Sequence, residues 1–520
     1  MTQAIDAIQL SIFSNRVNAI CDEMGAILRR ASFSPNIKDR LDFSCAIFDA
    51  SGELCAQAAH IPVHLGSMAY AMRDIVADIT WQSGDMLILN DPFLGGTHLP
   101  DVTLIAPLFL QNNLFGFIAN RAHHADMGAD TPGSMPNSKS LYEEGVVIAP
   151  SLLVKNFVVD ESMLSSICQK LARPEHARGD FVAQVSANRI GLQRLQVLIE
   201  SLGLNTFPDY LIALNSYAET LARQSIETIP NGEYQFIDFL DDDGQGQNDI
   251  QIQVTIKVNY QNVLLDFSGT AKQVSGNVNC PLSVAAAAAY YVFRCLMPDF
   301  TPACAGAFRP IQLHVESGSL LNATRPAAVA AGNVETSTRV VDVIMGALLK
   351  AIPEQMAAAS HGSMNNVAMG ARDSQQHWDY YETIGGGAGA SPRGPGQSAV
   401  QTHMTNTLNT PVESLEMHYP LRVLEYSIRK NSGGLGEFNG GDGLIRRFEF
   451  LQAASVSLLS ERRRHSPWGV NQGSSGAPGL NQLNQTTLPG KCEIKVQTGD
   501  VLSVATPGGG AWGLNKQKGK

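Results

Sequence analysis

Val102-Thr-Leu-Ile-Ala-Pro-Leu-Phe109 and Leu114-Phe-Gly-Phe-Ile-Ala-Asn120 are two apolar runs on either side of Gln111-Asn112-Asn113. Adjacent Asn residues tolerate positive φ, so the three polar residues read as the turn of a β-hairpin. Pro107 cannot donate to a ladder, which marks the first strand as an edge or a bulge. The two flanks of the hairpin carry the chemistry. Before it stands Asn90-Asp-Pro-Phe-Leu-Gly-Gly-Thr-His98-Leu-Pro-Asp101, and after it Arg121-Ala-His123-His124-Ala-Asp126. Asp101 lies eleven residues before Asn112 and His123 eleven after it. An antiparallel pairing therefore brings the two side by side. His98, Asp101 and a following His form a plausible nitrogen and oxygen donor set for a divalent ion, with a position left for water. The register leaves His123 and His124 open as alternatives, because a one-residue slip exchanges their faces.

Outward from the hairpin, other elements follow from periodicity. Phe13, Val17, Ile20, Met24, Ile27 and Leu28 recur at helical spacing, predicting an amphipathic helix over residues 5–31. Cys45–Phe48 and Glu53–Ala56 flank a Gly turn and read as a second hairpin, and Met86–Leu89 as a short buried strand. Residues 181–203 and 207–228 read as helices, as do 285–296 and 338–352; residues 234–240, 250–258, 263–267, 444–450 and 456–459 read as strands. The types mix without strict alternation, so the expected class is α+β, with antiparallel and mixed sheets. At 520 residues the chain exceeds one compact core. The expected division is residues 1–229 around the metal site, a central α+β part over 230–335, and a Gly-rich, β-containing part over 336–520.

Composition narrows the function. The net charge of −11 and the lack of basic runs argue against nucleic-acid and anionic-lipid partners. Eight scattered cysteines without a C-x-x-C pair argue against a zinc module or a disulfide scaffold. The N-terminus lacks a secretory pattern, and the apolar run Pro281–Met297 is short and contains Arg294, so a cytoplasmic protein is expected. Of the 47 glycines, 23 lie from Gly385 onward. Neither Gly385-Gly-Gly-Ala-Gly389 nor Gly508-Gly-Gly510 has the strand–loop–helix context of a phosphate loop, so tight turns and close backbone packing are the preferred reading. No G-x-S-x-G elbow is present, and Cys280 and Cys304 have no neighbouring His. His60 and His64 have the spacing of a helix face, but Pro62 between them argues for a loop whose histidines make local hydrogen bonds.

These stretches together resemble the hydantoinase B/oxoprolinase family. The likeness runs through Arg40-Leu-Asp-Phe-Ser44, His60-Ile-Pro-Val-His64, Asn90-Asp-Pro-Phe, Thr97-His98-Leu-Pro-Asp101 and His123-His-Ala-Asp126. It continues through Asn322–Val329, Glu382-Thr, Gly385–Ala390, Pro411–Tyr419, Asp442-Gly443 and Thr506–Gly510. Ala129 and Asn471-Gln472 stand where the family pattern leads one to expect glycine. The resemblance implies one half of an ATP-dependent enzyme that opens a hydantoin, 5-oxoproline or lactam ring. A larger hydantoinase A-type subunit, sugar-kinase or actin-like, would bind ATP with Mg and phosphorylate the substrate, the two forming a heterotetramer. The resemblance also implies His98, Asp101 and His123 as ligands of a divalent ion, Zn or Mn. His124 and Asp126, next to them in sequence, are expected as catalytic groups that accept a proton or orient a ligand. The rivals are a subunit of an ATP-dependent ketone carboxylase and a non-catalytic structural subunit.

Overall fold

The computed structural model describes residues 5–58, 61–372 and 377–515. Its first half is built on a seven-stranded antiparallel sheet: β1 (Phe43–Asp49), β2 (Leu54–Ala58), β3 (Met86–Leu89), β4 (Asp101–Leu110), β5 (Asn113–His123), β6 (Ser151–Lys155) and β7 (Val158–Val159), in the order β2-β1-β5-β4-β3-β6-β7. Both faces are covered. Ile47, Ile118, Val102 and Leu104 pack under the helices Ala7–Ala31 and Pro174–Leu202, whereas Phe48, Ile105, Phe117 and Ala119 pack under the helix Pro62–Ala77. A sheet buried on both sides needs apolar residues at successive positions, which is why β4 and β5 read as continuous apolar runs.

The hairpin forms as expected, with a detail the sequence does not mark. Leu110 pairs with Asn113, so the turn is Gln111-Asn112, with φ of 50° and 65°, the left-handed pair that hairpin twist favours. An unbroken ladder from this turn would set Asp101 opposite Ala122. A bulge at Leu108/Phe109 adds one residue on β5, and Asp101 pairs with His123 instead. Pro107 lies beyond Thr103–Ile105, the stretch of β4 that β3 covers. Among the described residues no strand stands on that side to receive its missing N–H.

A four-stranded sheet, mixed because Asn262–Asp266 runs parallel to Ile311–His314, carries the helix Ser337–Leu348, and the helix Leu282–Leu296 packs between that helix and Pro62–Ala77. Two further antiparallel sheets of four and five strands form the last third. The architecture is α+β. The largest core cluster runs from Phe13 through Val254 to Leu459. Among the described residues no helix is long and apolar enough to cross a membrane.

The late glycines pack backbone against backbone. A Cβ on Gly389 would lie 1.8 Å from the Ala358 carbonyl oxygen, one on Gly387 1.9 Å from that of Gly441, and one on Gly509 2.0 Å from that of Ala388. Gly509 donates to the Gly441 carbonyl, and Gly441 to that of Ala388, each at 2.9 Å. The Gly509→Ala variant is therefore expected to lose about 1–3 kcal/mol or more through overpacking against rigid backbone. An unchanged thermal midpoint would contradict this packing. Asn471 and Gln472 both adopt positive φ, 50° and 71°, so these non-glycine residues carry the backbone that the glycine pattern suits.

Candidate metal centre

Strand alternation assigns the two neighbouring histidines to opposite faces. Asp101, Thr103, Arg121 and His123 face the helix Pro62–Ala77, and Arg121 ties that helix to the sheet by donating to Ser67 Oγ of the helix (2.7 Å) and to Thr103 Oγ1 of β4 (2.8 Å). His124 faces the other way. Its Nε2 is 2.9 Å from Gln184 Oε1 and its ring lies on Phe181. The loop before β4 returns His98 to Asp101. His98, Asp101 and His123 are all buried, each with one ligand-type atom within 4.8 Å of the others.

Asp101 is the hub. Its Oδ1 is 3.1 Å from His98 Nε2 and 3.1 Å from His123 Nδ1. Its Oδ2 accepts from Thr97 Oγ1 (2.6 Å) and Asn333 Nδ2 (3.1 Å) and lies 3.2 Å from His64 Nε2. His98 Nδ1 is 3.1 Å from the Ala330 carbonyl oxygen, which makes Nδ1 a protonated nitrogen, so that in the neutral ring the lone pair is on Nε2. His123 donates through Nδ1 to Asp101, so in its neutral ring the lone pair is likewise on Nε2. Neither Nε2 makes a hydrogen bond of good geometry among the described residues, His98 Nε2 facing the Asp101 carboxylate at 3.1 Å out of line for one. Buried nitrogens left this way are what a ligand set without its ion presents. Burial opposes charging His98, but the Asp101 carboxylate beside it outweighs burial and raises its pKa. Burial also opposes ionising Asp101, yet His98 and His64 hold its carboxyl well below the usual range. At His123 and His124 burial prevails and lowers both.

Sequence reasoning missed several neighbours. Pro62 does not make a loop. It is the first residue of the helix Pro62–Ala77, where proline's missing N–H costs nothing, and His64 in that first turn reaches Asp101. The Pro-at-N1 rule was the signal available. His60 lies outside the described residues. Asp42, whose carbonyl accepts from the His123 backbone N–H at 2.9 Å, places its Oδ1 3.9 Å from His64 Nε2. The Tyr381 ring stacks on His123 at 5.0 Å and 11°, with the Arg40 guanidinium 4.7 Å from its centroid. Asp126 is not at the cluster. It accepts from Gly128 N, Ser134 Oγ and Arg372 Nη2 on Oδ1 and from Ala172 N on Oδ2.

A family model described as Hydantoinase B/oxoprolinase matches residues 6–515. The chain is 40% identical to 5-oxoprolinase 1 of Arabidopsis thaliana over 98% of its own length and 42% of that protein. It thus spans about two fifths of that relative. It is 32% identical to a putative D-/L-hydantoinase subunit of Pseudomonas sp. strain NS671, over 98% of this chain and 90% of that one. The structure of an ATP-dependent caprolactamase from Pseudomonas jessenii superposes with a TM-score of 0.90 at 24% identity, covering 98% of this chain and 92% of that one. This last likeness is one of fold.

Proposed function

This chain belongs to the hydantoinase B/oxoprolinase family, and from that premise we propose that it is the hydrolytic subunit of an ATP-dependent cyclic-amide hydrolase. The ring is a hydantoin, 5-oxoproline or a lactam. The observation that carries the reading is the convergence of three buried ligand-type side chains, with His98 Nε2 and His123 Nδ1 each 3.1 Å from Asp101 Oδ1 and neither histidine Nε2 in a well-formed hydrogen bond among the described residues. Two imidazoles and one carboxylate suit Zn or Mn. An ion held there would supply a water acidified toward a pKa of roughly 7 and a positive charge for the oxygen on the scissile carbon.

The chain's own residues prepare the site. Ala330 fixes the tautomer of His98, and Thr97, Asn333 and His64 fix Asp101 Oδ2, so that the three donors converge without rearrangement. Tyr381 and the sheet keep bulk water from the ligand side of His123. Of the two roles expected for His124 and Asp126, we propose the orienting one. From the opposite face His124 braces the end of β5 through Gln184, and Asp126 ties residues 126–134 to Arg372. ATP and its Mg would sit on a larger hydantoinase A-type partner that phosphorylates the amide oxygen, the two forming a heterotetramer. The Pseudomonas relative, itself named as a subunit, and the longer 5-oxoprolinase are consistent with such a division of labour.

The test is co-purification with the neighbouring ATP-binding subunit, metal analysis, and a screen of ATP consumption against hydantoins, 5-oxoproline and lactams. Near-stoichiometric Zn or Mn and ATP use with one of these rings are expected. ATP use only with a ketone plus bicarbonate would replace hydrolysis by carboxylation, and a metal-free, inactive subunit would leave a scaffold.

A further inference from the structure

Residues Gly332–Thr336 form a single π-helical turn leading into the helix Ser337–Leu348. Such turns are uncommon and concentrate where a side chain has to be aimed. Asn333, on this turn, is 3% exposed. Its Nδ2 donates to Asp101 Oδ2 at 3.1 Å, which settles which end of the amide meets the carboxylate. Its Oδ1 has no partner among the described residues. Because both atoms sit on one carbon, an unsatisfied buried acceptor stands beside the Asp101 carboxylate.

Asn333 is not free to turn away. Two residues on, Glu335 Oε1 accepts from Met364 N (3.0 Å) and Asn366 Nδ2 (2.7 Å). Asn366 Oδ1 in turn accepts from Tyr381 Oη (2.6 Å), whose ring is the one stacked on His123. The π turn is thus clamped from its far side to the wall of the same site. A fixed, buried amide oxygen without a donor is costly unless something arrives to fill it.

Opening a cyclic amide brings such a donor. Once the partner has phosphorylated the amide oxygen, water adds its oxygen to the scissile carbon and a proton to the ring nitrogen. The C–N bond then breaks with its electron pair going to nitrogen, which takes the proton of the added hydroxyl. The acyl phosphate left behind is hydrolysed by a second water to the acid and inorganic phosphate. An N–H therefore stands next to the scissile carbon as the ring opens. We propose that Asn333 Oδ1 accepts the hydrogen bond of the substrate's ring nitrogen, orienting the ring with its carbonyl carbon at the His98/Asp101/His123 cluster. The assignment rests on the hydrolytic reading above and narrows it. The substrate class is a ring whose scissile carbonyl is bonded to nitrogen, and a ketone would leave Asn333 unfilled.

The test uses the full complex, with wild type, Asn333→Ala and, should alanine prove insoluble, Asn333→Ser. Titration calorimetry compares two ligands. One is the ring-opened product of whichever cyclic amide is turned over, and the other is the same acid with hydrogen in place of the nitrogen group. Compared with wild type at equal bound metal, the variant is expected to bind the nitrogen-bearing product about tenfold more weakly and the nitrogen-free acid within twofold. Equal losses for both ligands, or no loss for either, would overturn the assignment, since Asn333 would then only support Asp101 or hold an internal water. Wild-type complex that turns over no cyclic amide would overturn the hydrolytic reading and this assignment with it; the wild-type arm separates that failure from the other.

Discussion

On the proposed hydrolytic function, Asp101→Ala is expected to lower turnover by about three orders of magnitude and to empty the proposed metal centre while the chain still folds and binds the proposed partner. The size follows from what a bound cation contributes, several kcal/mol of charge stabilisation, at about 1.36 kcal/mol per decade of rate. Asp101 is the carboxylate around which His98, His123, His64, Thr97 and Asn333 are arranged, so alanine removes one donor and the organiser of the others. The fold survives because the backbone pairing of residue 101 with His123 does not use the side chain. Leaving the Thr97 hydroxyl and the Asn333 amide unpaired costs roughly 1–3 kcal/mol, a lowered thermal midpoint rather than unfolding. Elemental analysis, size-exclusion chromatography with the ATP-binding subunit and an ATP-coupled ring-opening assay check the three parts. Retained metal together with retained ring opening would remove Asp101 from the centre.

What made this site legible in advance was short-range. The apolar runs of β4 and β5 and their Asn turn announced a hairpin, and a hairpin determines which residues meet across it. His98 and Asp101 needed only their spacing. The choice between His123 and His124 was out of reach because it hangs on the bulge at Leu108/Phe109, a half-turn of side-chain direction with no residue-type signature. His64 was hidden for a different reason, since proline inside a His-x-x-x-His spacing looks like a break until it is placed at the first position of a helix. Asn333 and Tyr381 reach the centre from segments more than two hundred residues away from Asp101 in the chain. Their contribution is tertiary, and neither period nor motif foretells it. The glycine clusters read correctly as close packing, although which backbones they let together emerged only from the fold.

Glu382→Ala is expected to destabilise the protein by about 3–5 kcal/mol, the cost of stranding a buried charge. Glu382 ends the strand His377–Glu382, and Arg446 lies in Gly443–Phe450 of the neighbouring sheet, both with fully buried side chains. Arg446 donates through Nε to Oε1 (3.1 Å) and through Nη2 to Oε2 (3.3 Å), and Oε2 also accepts from Tyr380 Oη (2.7 Å) and Asn409 Nδ2 (3.2 Å). The guanidinium sits 4.2 Å from the Tyr426 ring centroid and 5.0 Å from that of Phe448, and no second carboxylate pairs with it among the described residues. The pair itself is worth little net, because its attraction is spent on its own desolvation. The double replacement Glu382→Leu with Arg446→Met should therefore recover most of the loss, and denaturant midpoints at constant slope measure both steps. A double variant as unstable as the single one would mean that the ion pair, not the stranded charge, supplies the stability. Successive strand residues face opposite ways. Tyr381 faces His123 while Glu382 faces the second core, so folded Glu382→Ala protein should keep its metal and lose stability with little change in turnover.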